Sequence, residues 1–105
     1  MSSAYWIYAA ELADVQSQEV LPVSTDGHDL ALYSVEGQVH CTANQCTHGN
    51  AFLSEGFLID GEIECPLHQG RFDVKTGAPT CEPACDPVRV YPVKIEDGRV
   101  FVELS

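Results

Sequence analysis

No lysine or arginine occurs before Arg71. Ten carboxylates, from Glu11 to Glu64, precede it unopposed, and the last 35 residues add six acids against five bases, giving a net charge of −11. Nucleic acid and anionic membranes both demand a basic surface, so both are excluded as partners. A negative field instead speeds encounter with basic patches on other proteins, or simply keeps the chain dispersed. No apolar run approaches the roughly 18 residues needed to span a bilayer. The opening "MSSAYWIYAAELADV" has no basic n-region and carries acids, so neither a signal nor a transit peptide is expected and the chain is placed in the cytoplasm. Internal repeats, low-complexity segments and linkers are absent, and 105 residues make one domain. A general base, an activated nucleophile and a phosphate loop are missing too, which argues against an enzyme.

Five cysteines are present, at 41, 46, 65, 81 and 85. In a cytosolic chain that number points to metal or redox chemistry, not to a disulfide framework. Only two have a histidine at ligand spacing: Cys46-Thr47-His48 and Cys65-Pro66-Leu67-His68. His28 and His40 fall inside expected strands and read as ordinary strand residues. Cys41, beside His40, points to the opposite strand face and is expected to be buried. Cys81 and Cys85 read as passive small side chains.

The rest of the chain has the marks of β-structure. "WIYAA" and "VLPVS" are short β-prone runs, and "HDLALYSVEGQVHCTA" alternates on either side of Glu36-Gly37 as a hairpin does. Asp26-Gly27, Asp60-Gly61 and Asp97-Gly98 repeat that turn chemistry. "RVYPVKIEDGRVFVEL" reads as one last hairpin, and only "AELADVQ" hints at a helical turn. The expected fold is all-β, an antiparallel sandwich or barrel.

On that scaffold both ligand pairs fall in loops, the first after the strand ending near Thr42 and the second after the short strand "EIE", with 16 residues between His48 and Cys65. Two thiolates and two imidazoles then converge from two loops. Structural zinc accepts Cys2His2 sets, but its knuckles usually pair cysteine with cysteine and histidine with histidine. A mixed Cys/His pair on each loop suits a [2Fe–2S] centre whose irons are held one by two thiolates and one by two imidazoles. Coincidental core residues are the third reading.

The stretch "CTHGNAFLSEGFLIDGEIECPLHQGRFDVKTG" resembles the Rieske iron–sulfur signature, C-x-H then C-x2-H, with the F-D-x-x-T-G strand and turn that follows it. The resemblance runs from "WIYAAEL" to the last hairpin, and in length and motif the chain is similar to the small Rieske-type ferredoxins of bacterial aromatic-ring dioxygenases of the naphthalene dioxygenase type. It implies one Rieske [2Fe–2S] cluster, with Cys46 and Cys65 on the buried iron and His48 and His68 on the outer one. It implies the Rieske fold: a basal antiparallel β-structure of about residues 1–42 and 83–105, with a smaller cluster-binding subdomain inserted at about 43–82. "TGAPTCEPACDP" would be the loop covering the cluster from a third side. The implied partners are a flavoprotein ferredoxin reductase and a terminal oxygenase, with the carrier itself a monomer. Phe52, Leu53, Leu67 and Pro79 are the apolar contacts expected around the histidines. A small non-catalytic subunit of a nitrite reductase-like enzyme and a zinc-stabilised interaction module are the alternatives.

Departures from the respiratory branch of that family sharpen the expectation. Respiratory Rieske proteins brace the two loops with a disulfide, whereas here Leu67 takes one of those positions and "GNAFLSEG" holds no cysteine for the other. They also place hydroxyls where this chain has Gly70 and Phe72. Imidazole ligation leaves the oxidised cluster neutral and raises its potential above the roughly −400 mV of all-thiolate centres. Without hydroxyl donors, and in a chain of charge −11, the midpoint should lie near the bottom of the Rieske range, below about −50 mV.

Overall fold

A computed structural model describes residues 6–47, 51–67, 70–81 and 86–104. Among the described residues β1 (Trp6–Glu11) comes first and runs into the one helix, α1 (Leu12–Gln18), followed by β2 (Val20–Thr25), β3 (His28–Val35) and β4 (Gln38–Ala43). A single 3-10 turn (Leu53–Glu55) leads to four short strands, β5 (Phe57–Ile59), β6 (Glu62–Glu64), β7 (Arg71–Asp73) and β8 (Pro79–Cys81). The last three are β9 (Val90–Tyr91), β10 (Val93–Glu96) and β11 (Arg99–Glu103). They form three antiparallel sheets, β1-β11-β10, β2-β3-β4-β9 and β5-β6-β7-β8.

The hairpin turns are those expected. At each, both central residues are left-handed, with φ of 51° at Asp26, Glu36 and Asp60 and 52° at Asp97, and 73° to 83° at the glycines that follow. Positive φ at both positions defines the tight turn whose twist matches the strands it joins. The carboxylate residue therefore carries backbone strain as well, which aspartate tolerates better than most.

The last hairpin departs from its expected form. As one hairpin, residues 89–96 would form a single strand, but Pro92 divides them: Val90–Tyr91 pairs with Cys41 and Thr42, while Val93–Glu96 pairs with β11 in another sheet. Proline has no N–H to give a ladder, so the break falls where pairing changes sides. The Pro92 carbonyl still accepts from Glu103 N–H at 3.1 Å.

β3 organises the interior. Its run Leu30-Ala31-Leu32-Tyr33 is fully buried on both faces. Leu30 and Leu32 enter one core with Cys41, Tyr91, Val100 and Val102, where Val15 of α1 also packs. Ala31 and Tyr33 enter a second core with Leu53, Ile63, Phe72, Val74 and Val88. Cys46 and Cys65 belong to the second core and Cys41 to the first. Alternation along one strand thus separates the thiols with a histidine at ligand spacing from the one without.

Candidate metal centre

The first loop leaves β4 at Ala43 and closes on itself within a few residues. Leu53 N–H donates to the Asn44 carbonyl at 2.7 Å, Cys46 N–H donates to the Ala51 carbonyl at 2.9 Å, and Gln45 bridges Phe52 in antiparallel fashion. The Asn44 side chain, buried to 6% exposure, fastens both limbs. Its Nδ2 donates to Ser54 Oγ at 3.0 Å and its Oδ1 accepts from Ser54 N–H at 2.8 Å. A buried amide with both ends satisfied is a rigid clamp.

The second loop prolongs the β6–β7 hairpin. Glu64 lies opposite Arg71, and the next pair outward is closed by Cys65 N–H donating to the Gly70 carbonyl at 2.7 Å. Arg71 Nε holds Glu64 Oε1 at 3.0 Å at its base. Beneath it Gly56 abuts the Glu64 carbonyl so closely that a Cβ there would overlap backbone atoms. A third segment reaches over from the other side. Val88 N–H donates to the Gly77 carbonyl at 2.9 Å, and Thr47 Oγ1, next to Cys46, donates to the Asp86 carbonyl at 2.9 Å.

These elements bring the two expected thiol ligands together. Cys46 and Cys65 are both buried and neither is in a disulfide. Burial first, and hydrogen bonding with the Cys46 thiol next, push the Cys65 thiol up to about 11, while Leu67 N–H, donating to Cys65 Sγ at 3.4 Å, works the other way. Two sulfurs in contact, with a backbone donor aimed at one, form a soft donor pair for a metal that binds thiolate. His48 and His68 lie outside the described residues, as does Cys85.

Cys41 sits in the other core, and burial raises its thiol to about 12. His28 heads β3, its Nδ1 at 3.0 Å from the Asp26 carbonyl. His40 is half-buried, held below its ordinary value by burial and by Lys75. It lines a groove of about 720 Å³, walled by carboxylates such as Glu19, Glu36 and Glu62 and by neither metal-site thiol. One expected contact residue is corrected: Leu53 is fully buried, because the 3-10 turn directs it into the core. Phe52 is 44% exposed, and Leu67 and Pro79 are half-buried. Sequence reasoning missed Asn44, Ser54 and Thr47, polar residues whose partners lie ten or more positions away with no periodic signal.

The chain belongs to the Rieske [2Fe-2S] domain family, whose model matches residues 5–92. Within that class it is 53% identical over 100 residues to the ferredoxin component of the naphthalene 1,2-dioxygenase system of Pseudomonas putida, covering 95% of this chain and 96% of the relative. The fold is similar to that of the Sphingomonas yanoikuyae B1 ferredoxin, with a TM-score of 0.91 and 40% identity over 96% of this chain and all of the other. It is similar also to a chain in the complex of reduced oxygenase and oxidised ferredoxin of carbazole 1,9a-dioxygenase, with a TM-score of 0.88 and 38% identity over 96% and 94% of the two chains. The family's cofactor is one Rieske cluster, and the donor chemistry fits it. Two thiols placed in contact by separate loops suit the thiolate-held iron of such a cluster.

Proposed function

We propose that this chain is a one-electron carrier, taking electrons from an NAD(P)H-dependent flavin reductase and passing them to the terminal oxygenase of an aromatic-ring dioxygenase system. It is an electron-transfer component and not an enzyme. One observation carries the reading: two buried thiols, each two or three residues before a histidine, meet in a chain 53% identical over 95% of its length to such a ferredoxin component. That relationship also favours it over a nitrite reductase subunit or a zinc module.

In this reading Cys46 and Cys65 hold the inner iron, and His48 and His68 the outer. The cluster supplies reversible uptake of one electron near the surface. The protein's part is to hold the sulfur side rigid and dry. The Asn44–Ser54 clamp, the Cys65–Gly70 backbone bond and the Thr47–Asp86 bond each fix one segment around the thiols. Residues 43–82 then act as the cluster-holding part, on a base formed by 1–42 and 83–105. Gly70 and Phe72 bring no hydroxyl, so the midpoint lies low, as delivery from a flavin requires. The carrier is a monomer that works in the cytoplasm; among the described residues no helix is long and apolar enough to cross a membrane.

The test is to purify the chain with its iron, record its visible and electron paramagnetic resonance spectra, and add NADH with candidate flavin reductases. A red-brown protein bleached by a catalytic amount of one reductase is expected. A colourless protein, or one that no reductase bleaches, refutes the reading.

A further inference from the structure

Strands β5 to β7 divide their side chains cleanly between two faces. Leu58, Ile63 and Phe72 are cross-strand neighbours on the inner face, where Ile63 and Phe72 are fully buried and Leu58 packs against them. On the outer face Phe57 lies opposite Glu64 and Ile59 opposite Glu62, with Arg71 and Asp73 next across. Phe57 is 65% exposed, the most exposed large apolar side chain among the described residues, and Ile59 is 39% exposed. β5 is also the terminal strand of its sheet. Chains usually blunt such edges with charge or proline, so two large apolar residues kept together on one need a reason.

The surroundings give that patch a sign and a place. Glu62, Glu64 and Asp73 share its face, and its one cation, Arg71, is engaged by Glu64. Phe57 faces the residue that precedes Cys65, so the apolar end of the face adjoins the second metal-site loop. We propose that this outer face docks the terminal oxygenase, Phe57 and Ile59 entering an apolar recess bordered by lysine or arginine. The proposal rests on the carrier reading above. Oxygenase is the partner assigned because a complex between an oxygenase and a similar ferredoxin is stable enough to have been solved. A specific stable interface buries about 800 Å² on each partner. Among the described residues around the loops, Phe52 and Pro66 are exposed and Leu67 and Pro79 half-buried, and the adjoining sheet face enlarges this apolar surface.

The experiment compares the cluster-loaded chain with Phe57→Asp and Ile59→Asp. Oxygenase turnover as a function of carrier concentration should show KM raised about tenfold or more for Phe57→Asp, and less for Ile59→Asp, with kcat within about twofold. Bleaching by NADH and reductase should stay within about twofold of the parent. Amide hydrogen exchange of the parent at residues 57–59 should slow when oxygenase is added, a readout that needs no variant to fold. An unmoved KM for Phe57→Asp, equal loss toward reductase and oxygenase, or unchanged exchange at 57–59 overturns the docking face while the carrier reading stands. A parent chain that no oxygenase can oxidise removes both.

Discussion

Replacing Asn44 with alanine should loosen the first metal-site loop more than any other single polar change. The alanine keeps both backbone bonds of residue 44, to the Asp29 carbonyl at 2.9 Å and from Leu53 N–H at 2.7 Å, so only the clamp is lost. Two partners are then stranded. Ser54 N–H loses its acceptor in a half-buried setting, which costs about 1–3 kcal/mol, and Ser54 Oγ loses a donor worth about 0.5–1.5 kcal/mol. Water reaching the half-exposed Ser54 recovers part of this, leaving a net loss of about 2–3 kcal/mol. For a domain of this size each kcal/mol moves the midpoint by roughly 4–8 °C, so melting should fall by roughly 10–20 °C. Loss of the cluster makes unfolding irreversible, and the half-life of the visible absorbance at fixed temperature is the second readout. Ser54→Ala retains the N–H bond but leaves the Asn44 Nδ2 donor without its acceptor, and should lose about 1–2 kcal/mol, less than Asn44→Ala. Asn44→Asp retains the acceptor and should fall between. An Asn44→Ala protein melting within about 2 °C of the parent, or a Ser54→Ala protein as unstable as it, would refute the clamp.

Gly56→Ala forces a Cβ into the Glu64 carbonyl, displacing the strand end that carries Cys65; at least about 2 kcal/mol should be lost and iron content with it, whereas full iron loading at the parental melting temperature would contradict the packing. Cys41 gives a pH dependence. Its folded thiol is raised from 9.0 to about 12 by burial, so the folded state keeps the proton the unfolded state gives up. Its contribution is whole below pH 9 and is lost as pH climbs from about 9 to about 12, at up to about 1.4 kcal/mol per unit; Cys41→Val should flatten that part of a urea-midpoint profile, and an unchanged profile counts against it. Gly70→Ser restores a hydroxyl beside the cysteine loop and should raise a midpoint expected below about −50 mV, which a redox titration reads directly; no shift would show that the hydroxyl is not the lever. Raising ionic strength from about 0.01 to 0.1 M shrinks the screening length from about 30 to 10 Å and should slow electron delivery at low carrier concentration, since the chain carries −11 charges; rates indifferent to salt would argue against steering.

How much of this was legible in the sequence depends on how local the cause is. A hairpin turn is decided by two residues, so the acid–glycine pairs at 26, 36, 60 and 97 mark every tight turn the structure contains at those places. Spacing from a histidine singles out Cys46 and Cys65, the two thiols that the structure brings together, and leaves Cys41 in the other core; the histidines themselves lie outside the described residues. By contrast, that Pro92 marks a change of sheet and not one continuous strand depends on which neighbour lies on each side, and no local pattern carries that. Leu53 reads as a loop tip because its neighbours are loop residues, yet a single 3-10 turn buries it completely. Asn44 and Ser54 meet across ten residues through side-chain geometry that only the closed loop creates.

Main-chain bonds close both metal-site loops beside the thiols, and that restricts how such a carrier can be tuned. Leu67 N–H points at Cys65 Sγ, Cys65 N–H is bound by Gly70, and Cys46 N–H is bound by Ala51. None of these contacts can be altered by exchanging a side chain without moving the loop that holds the ligand. Phe72 is committed to the core that also contains Cys46 and Cys65, so a polar group there would cost packing as well as desolvation. Position 70 differs, because its backbone already makes the loop-closing bond and its lack of a side chain leaves a hydroxyl to be added. Of the two positions without a hydroxyl, Gly70 is thus the one where a substitution can test the expected low potential without removing a core side chain.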